Sequence, residues 1–159
     1  MADMDQLDRA ILASWMTDAR RSLRDIAAEV GVSATTVHER ARGLQRRGVV
    51  TGTRLEVDLA QLGRPVQALI SVRVRPPTRS NIEDFRDWVR ALPETIGVFV
   101  TSGRADFLVH VAVGSNDDLY AFVIDRLTSR EAIADVETSI IYEHLQDSAI
   151  DLEHGATGS

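Results

Sequence analysis

Residues 22–48 read SLRDIAAEVGVSATTVHERARGLQRRG, and the spacing of their apolar residues predicts two short helices joined by a tight turn. Ser22 is placed to cap the first helix, with Asp25 at the reciprocal capping-box position. Leu23, Ile26, Ala27 and Val30 then recur as one buried helical face. Gly31 stops that helix, the chain turns through Val32, and Ser33 caps the next one. A connection this short between two helices is the helix-turn-helix. In the second helix Val37, Ala41 and Leu44 share a face, which turns Ala34, Thr35, Thr36, His38, Glu39 and Arg42 away from the core. Side chains projecting from such a helix can bond base edges and phosphates. The candidate DNA-contacting set is therefore Ser33, Thr35, Thr36, His38, Glu39, Arg40, Arg42 and Arg46. Arg40 lies beside the buried stripe, where a phosphate or an acid of the same chain suits it better than a base. A solvated helix face is the alternative, since Arg46 and Arg47 near a helix C-terminus also answer the helix dipole.

The charge distribution agrees with a reader of DNA and with two domains. Residues 1–64 carry ten Arg against nine acids, whereas residues 65–159 carry eight Arg against fifteen, so a net +1 and a net −7 give the overall −6. Between Arg20 and Arg54 eight Arg meet only Asp25, Glu29 and Glu39. Phosphate contact depends on such a patch and not on the average charge. There is no cysteine, which excludes a disulfide framework and a thiolate metal site. The acidic start MADMDQLDR has no apolar core and does not read as a signal peptide, and no apolar run approaches membrane-spanning length. A cytoplasmic, nucleoid-associated protein with no membrane partner is expected.

Outward from the opening stretch, Leu7, Ile11, Leu12, Trp15 and Met16 form the stripe of a preceding amphipathic helix, completing a helix-turn-helix domain over residues 1–50. Residues 51–64 read as a linker or wing hairpin, with Val49, Val50, Leu55 and Val57 flanking the Thr51-Gly52-Thr53 turn signal. From Pro65 the periods alternate. A strand over Val66–Val74 ends at Pro76-Pro77, and Ser80 with Glu83 forms a capping box for a helix bearing Ile82, Phe85, Val89 and Leu92. Strands Ile96–Ser102 and Phe107–Val113 follow, then a helix from Ser115 or Asn116 burying Leu119, Phe122, Val123 and Leu127, and a strand from about Asp135 to Tyr142. The order β-α-β-β-α-β is the ferredoxin-like split unit, so the fold class is α+β: an N-terminal helix-turn-helix domain followed by a ferredoxin-like domain over residues 65–150. The tail 151–159 has no periodicity and reads as disordered.

Alternation predicts that Val66, Ala68, Ile70, Val72, Val98, Val100, Phe107, Val109, Val111, Val136 and Ile140 lie under the helices. The other sheet face mixes Leu69, Phe99, Leu108 and Ile141 with Gln67, Ser71, Thr101, His110 and Ser139, too apolar to stand in water. A homodimer with sheets face to face is the economical cover, and it suits a two-fold symmetric DNA site.

Between the two middle strands, the backbone at Gly103 can approach a carboxylate closely and Asp106 can attract an ammonium group, a pair that suits an α-amino acid. An ordinary hairpin turn explains the same residues equally well. Thr101, Ser102, Thr138 and Ser139 are secondary lining candidates or plain strand residues. His110 has no second His or Cys at ligand spacing, so no metal site is expected, and no cofactor motif or acid/base constellation occurs.

The chain resembles the Lrp/AsnC (leucine-responsive, or feast-famine) family of transcription regulators over residues 5–147. The matching residues are Leu7-Asp8, Ile11-Leu12, Ile26-Ala27, Gly31-Val32-Ser33, Thr36-Val37, Arg40, Leu44, Gly48-Val49-Val50 and Leu62-Gly63. They end in Gly103-Arg104-Ala105-Asp106-Phe107-Leu108, which looks like the family's G-x-x-D-[YF]-L signature. Gly43 departs from the pattern, standing where relatives place a charged helix former. The resemblance implies double-stranded DNA as partner and an amino acid or similar metabolite as effector. It favours an effector pocket at Thr101, Ser102, Gly103, Arg104, Asp106, Thr138 and Ser139, and implies homodimers that associate into tetramers or octamers. Two alternatives stand beside the regulator. Siroheme decarboxylases are similar in fold, but they would need basic or imidazole groups around a large pocket, whereas here Arg gathers on the second helix and histidines are sparse. A bare dimerisation module would show no salt-dependent DNA binding.

Overall fold

The computed structural model describes residues 4–145 and forms two compact units, one ending at Leu55 and one spanning Glu56–His144. In the first unit, α1 (Gln6–Thr17), α2 (Leu23–Val30) and α3 (Ala34–Arg46) surround a small core. Each starts at a side-chain cap, Asp5, Ser22 or Ser33, which accepts the backbone N–H three residues on. Gly31 ends α2 with φ of 74°, a left-handed conformation that a side chain would strain. Ile11, Ile26, Val37 and Leu44 are fully buried. On α1 the buried face departs from the expected stripe: Asp8 and Ser14 flank Ile11 inside, while Leu12 and Met16 line a surface groove with Val49 and Val50.

The expected wing hairpin over residues 51–64 is absent. Residues 51–58 form no strand, and Leu59–Gly63 make a hydrogen-bonded turn whose entry is capped by Asp58. The reason lies just upstream. Val49 and Val50 donate their backbone N–H groups to the Leu44 carbonyl at 3.0 and 3.3 Å and pack on the helical core, so they close α3 and leave no first strand for a hairpin. Residues 146–159, including the expected disordered tail, lie outside the described residues.

Gly43 sits in α3 with nothing within 4 Å of the position a Cβ would take. Gly43→Ala is therefore expected to stabilise the protein by about 1 kcal/mol, read as a higher denaturant midpoint at an unchanged slope.

The second unit is a four-stranded antiparallel sheet in the order β2-β3-β1-β4, built from β1 (Val66–Val74), β2 (Thr95–Val100), β3 (Phe107–Val113) and β4 (Ile133–Ile141). The helices α4 (Arg79–Arg90) and α5 (Asn116–Ala121), with the turn that continues α5, supply Phe85, Val89, Leu119 and Phe122 to a core against Ile70, Val72, Phe107 and Val109. Phe85 packs against Phe107 at a tilt, with ring centroids 4.7 Å apart. The connectivity is the expected ferredoxin-like one, with local differences. Thr78, not Ser80, caps α4 by accepting from the Asn81 N–H; Ser80 lies within the first turn and bonds Asp84. β2 stops at Val100 and β4 begins at Ile133. Val100 and Ile140 do occupy the helix-side face, but they sit on the two edge strands and stay exposed at 60% and 45%. α5 continues as a π-helix over Phe122–Thr128, whose wider turn brings Phe122 and Leu127, five residues apart, to the same buried side.

Candidate DNA interface and effector hairpin

Five of the eight candidate DNA-contacting residues, Thr35, His38, Glu39, Arg42 and Arg46, are exposed along α3. Among the described residues, Arg42 and Arg46 make no side-chain hydrogen bond or ion pair, which leaves both guanidinium groups available. Ser33 and Thr36 are differently placed. The Ser33 hydroxyl accepts from the Thr36 N–H at 3.1 Å and shares a 2.8 Å hydrogen bond with the Thr36 hydroxyl, so both shape the first turn of the helix.

Arg40 turns back into its own unit, bonding Asp5 at 2.5 Å and Asp8 at 3.2 Å. Asp8 is 1% exposed and also accepts from Arg47 at 2.6 Å. The Asp8 backbone N–H, and after it Arg40, hold the Asp5 carboxyl below the usual carboxylate range. Of the partners open to Arg40 in the sequence, the acid of the same chain is the one it takes. The sequence marks Asp8 only faintly, as a charged residue within an apolar helical stripe.

The 101–106 hairpin is fixed at its base and open at its tip. The Thr101 N–H donates to the Asp106 carbonyl at 3.0 Å, and the Thr101 hydroxyl donates to the Ala105 carbonyl at 2.7 Å. Asp106 Oδ2 accepts from the Val74 N–H at 2.8 Å and pairs with Arg75 at 3.3 Å. Asp106 thus already holds the hairpin against β1, while Ser102, Gly103 and Arg104 are exposed. Gly103 has φ of 140° with open space around it, so the tip demands a glycine and offers bare backbone. Thr138 and Ser139 do not join this group. They lie on β4, opposite Ile70 and Leu69 of β1, and as successive strand residues they face opposite sides of the sheet.

What the fold does bring near Arg104 is a cleft of about 50 Å³ shared with Arg73, Asp135 and Glu137. Arg73 reaches the Arg104 carbonyl through Nε at 3.0 Å. These three residues escaped sequence reasoning because their proximity depends on the β1–β4 register, which pairs Arg73 with Asp135 and Ser71 with Glu137. On the same open face His110 bonds Gln67 at 3.1 Å and meets His144 edge-on at 5.8 Å. Burial, and after it His144, push the His110 imidazole below its ordinary value.

Comparison with known proteins matches residues 4–45 to the AsnC-type helix-turn-helix domain and residues 67–150 to the Lrp/AsnC ligand binding domain. The chain belongs to the Lrp/AsnC family. This Lrp/AsnC regulator is 36% identical over 147 residues to the HTH-type transcriptional regulator AldR of Mycolicibacterium smegmatis, covering 92% of this chain and 86% of that one. Among solved structures, E. coli AsnC superposes with a TM-score of 0.81 at 27% identity, covering 93% of this chain and 98% of that one. The AldR structure from Mycobacterium tuberculosis gives 0.72 at 32% identity, covering 92% and 100%. These relatives are transcriptional regulators, which supports a DNA-binding transcription regulator over the siroheme-decarboxylase-like alternative. The second unit is accordingly the effector-binding domain of an Lrp/AsnC regulator. No helix among the described residues is long and apolar enough to cross a membrane.

Proposed function

We propose that this Lrp/AsnC regulator is a cytoplasmic, nucleoid-associated protein that binds a two-fold symmetric operator as a homodimer. In this reading α3 enters the major groove, and an amino acid at the 101–106 hairpin alters how dimers associate into tetramers or octamers. The observation that supports the DNA arm most directly is the row of exposed groups on α3, with Arg42 and Arg46 unengaged. Arg42→Ala is expected to weaken operator binding in one of two distinguishable ways. Loss of a base contact costs about 1–3 kcal/mol and relaxes one operator position; loss of a phosphate contact weakens all sequences and lowers the salt slope by about one. Fluorescence anisotropy at several salt concentrations reads both, and unchanged affinity and slope would remove α3 from the interface.

For the effector arm, the open glycine tip and the neighbouring Asp106 carboxylate support an α-amino acid, the backbone meeting its carboxylate and Asp106 its ammonium. Asp106→Asn keeps an acceptor for the Val74 N–H and is expected to leave the melting temperature nearly unchanged while abolishing the effector's influence on assembly size. Because a ligand shifts an equilibrium only by its differential affinity for the two assemblies, sedimentation with and without amino acids decides the point. A response retained in full by the variant would return Asp106 to a purely structural role.

A further inference from the structure

A second cleft, of about 450 Å³, opens at the end of the sheet where β1 begins and β3 finishes. The 101–106 hairpin lies at the other end, its Asp106 N–H bonded to the Val72 carbonyl. The floor of the cleft is apolar, formed by Ala112, Val113 and Phe122, all buried. Its walls carry Glu94, Asp118 and Asp125 with Arg64 and Arg126. Two of these five charges are already engaged: Arg64 donates to the Pro93 carbonyl, and Asp118 accepts from the Ser115 hydroxyl at 2.8 Å. Among the described residues Glu94 has no such partner, its Oε2 being buried without a hydrogen bond. A buried acceptor left without a donor is costly and uncommon, and a bound donor relieves it. Among the described residues, the side chains of Asp125 and Arg126 make no hydrogen bond or ion pair either.

The backbone prepares this cleft. The π-helix turns Phe122 and Leu127 under the sheet and leaves two of the four residues between them, Asp125 and Arg126, on the cleft wall. At the rim is Gly114, where a Cβ would lie 3.0 Å from Asp118 Oδ2 and 3.4 Å from the Gly63 carbonyl oxygen, so a side chain there would crowd Asp118. The volume falls within the range of small-molecule sites. Three carboxylates against two guanidinium groups call for a ligand with a net positive charge, and the apolar floor calls for an aliphatic chain.

We infer that this cleft binds a small aliphatic molecule bearing a terminal ammonium group, with Glu94 and Asp125 holding the ammonium and the chain lying on Ala112, Val113 and Phe122. A basic amino acid and an aliphatic diamine both present this chemistry. The site is separate from the hairpin and does not depend on the hairpin's role.

Isothermal titration of the full-length protein with L-lysine, 1,5-diaminopentane and L-norleucine tests it. Lysine or the diamine is expected to bind saturably, and norleucine, which lacks the terminal ammonium, at least about tenfold more weakly. Glu94→Gln and Asp125→Asn should each weaken binding by a similar factor. Asp125 is exposed, so its variant keeps the test intact should the Glu94 change disturb the fold. Arg126→Ala separates the sources, weakening lysine alone if the ligand's carboxylate is recognised. Asp106→Asn should leave binding untouched, which distinguishes this cleft from the hairpin. The inference is overturned if neither ammonium compound binds at millimolar concentration, if norleucine binds as tightly, if neither carboxylate variant matters, or if Asp106→Asn alone abolishes binding.

Discussion

Replacing Arg40 and Arg47 together by alanine is expected to unfold the helical unit at temperatures where the parent protein is fully folded. The cause is Asp8, whose carboxylate is buried between them and depends on them for compensation. A carboxylate left inside without a cation costs about 3 kcal/mol, the lower end of the usual range because the truncated side chains admit water. That is a large share of the stability of a unit whose fully buried apolar core, among the described residues, is four side chains, Ile11, Ile26, Val37 and Leu44. Either single substitution should do much less, since one guanidinium remains on Asp8. The mechanism also makes an opposite prediction: Asp8→Leu combined with Arg40→Met and Arg47→Met removes the charges and keeps the volume, and should melt close to the parent. Thermal unfolding followed by helical circular dichroism discriminates, and a double alanine variant that melts with the parent would show that Asp8 needs no compensation.

The second large effect concerns the open sheet face. Leu69, Leu108 and Ile141 are only half-buried there and Phe99 is 57% exposed, an apolar surface of the kind that marks an interaction site. Leu108 stands opposite Ser71 on one neighbouring strand and Phe99 on the other, at the middle of the patch. Leu108→Glu is expected to convert the homodimer proposed above into monomer, because a sheet-on-sheet seam would bury the new carboxylate in the middle of an apolar patch. His110, the next residue of this face along β3, has its imidazole held below the ordinary value by burial and by His144. Light scattering reads the result. An unchanged dimer would move the dimer contact elsewhere, and a monomeric parent would remove the argument for pairing.

What the sequence disclosed and what it withheld divide along one physical line. The caps Ser22 and Ser33, the stop at Gly31 and the stripe Val37-Ala41-Leu44 act within one or two turns of chain, and all are found as expected. The alternating runs of β1 and β3 are likewise local, and their order set the topology. Misjudged features depend on distant partners. Val49 and Val50 have strand chemistry but are taken by the Leu44 carbonyl and the helical core, so the wing does not form. Thr78, directly after Pro77, is a local exception: it caps α4 in place of Ser80 by accepting the Asn81 N–H. Val100 and Ile140 obey the alternation but occupy edge strands, a position that periodicity does not encode. In the candidate sites the exposed face of α3 was legible from helical geometry, whereas the β4 neighbours of Arg104 were not, since Asp135 and Glu137 reach it only through register.

The irregular chain after Val50 bears on how such regulators can be recombined. The helical core is closed by Val49 and Val50, and β1 does not start until Val66. A cut anywhere in residues 51–57 severs no strand or helix, and it exposes no buried side chain, since all seven residues there are already exposed. Segments of that kind accept insertion and exchange. The gene is therefore divisible at this point, and a chimera joining residues 1–55 to the sensor of another regulator would hand a foreign signal to this DNA reader while leaving both hydrophobic cores whole.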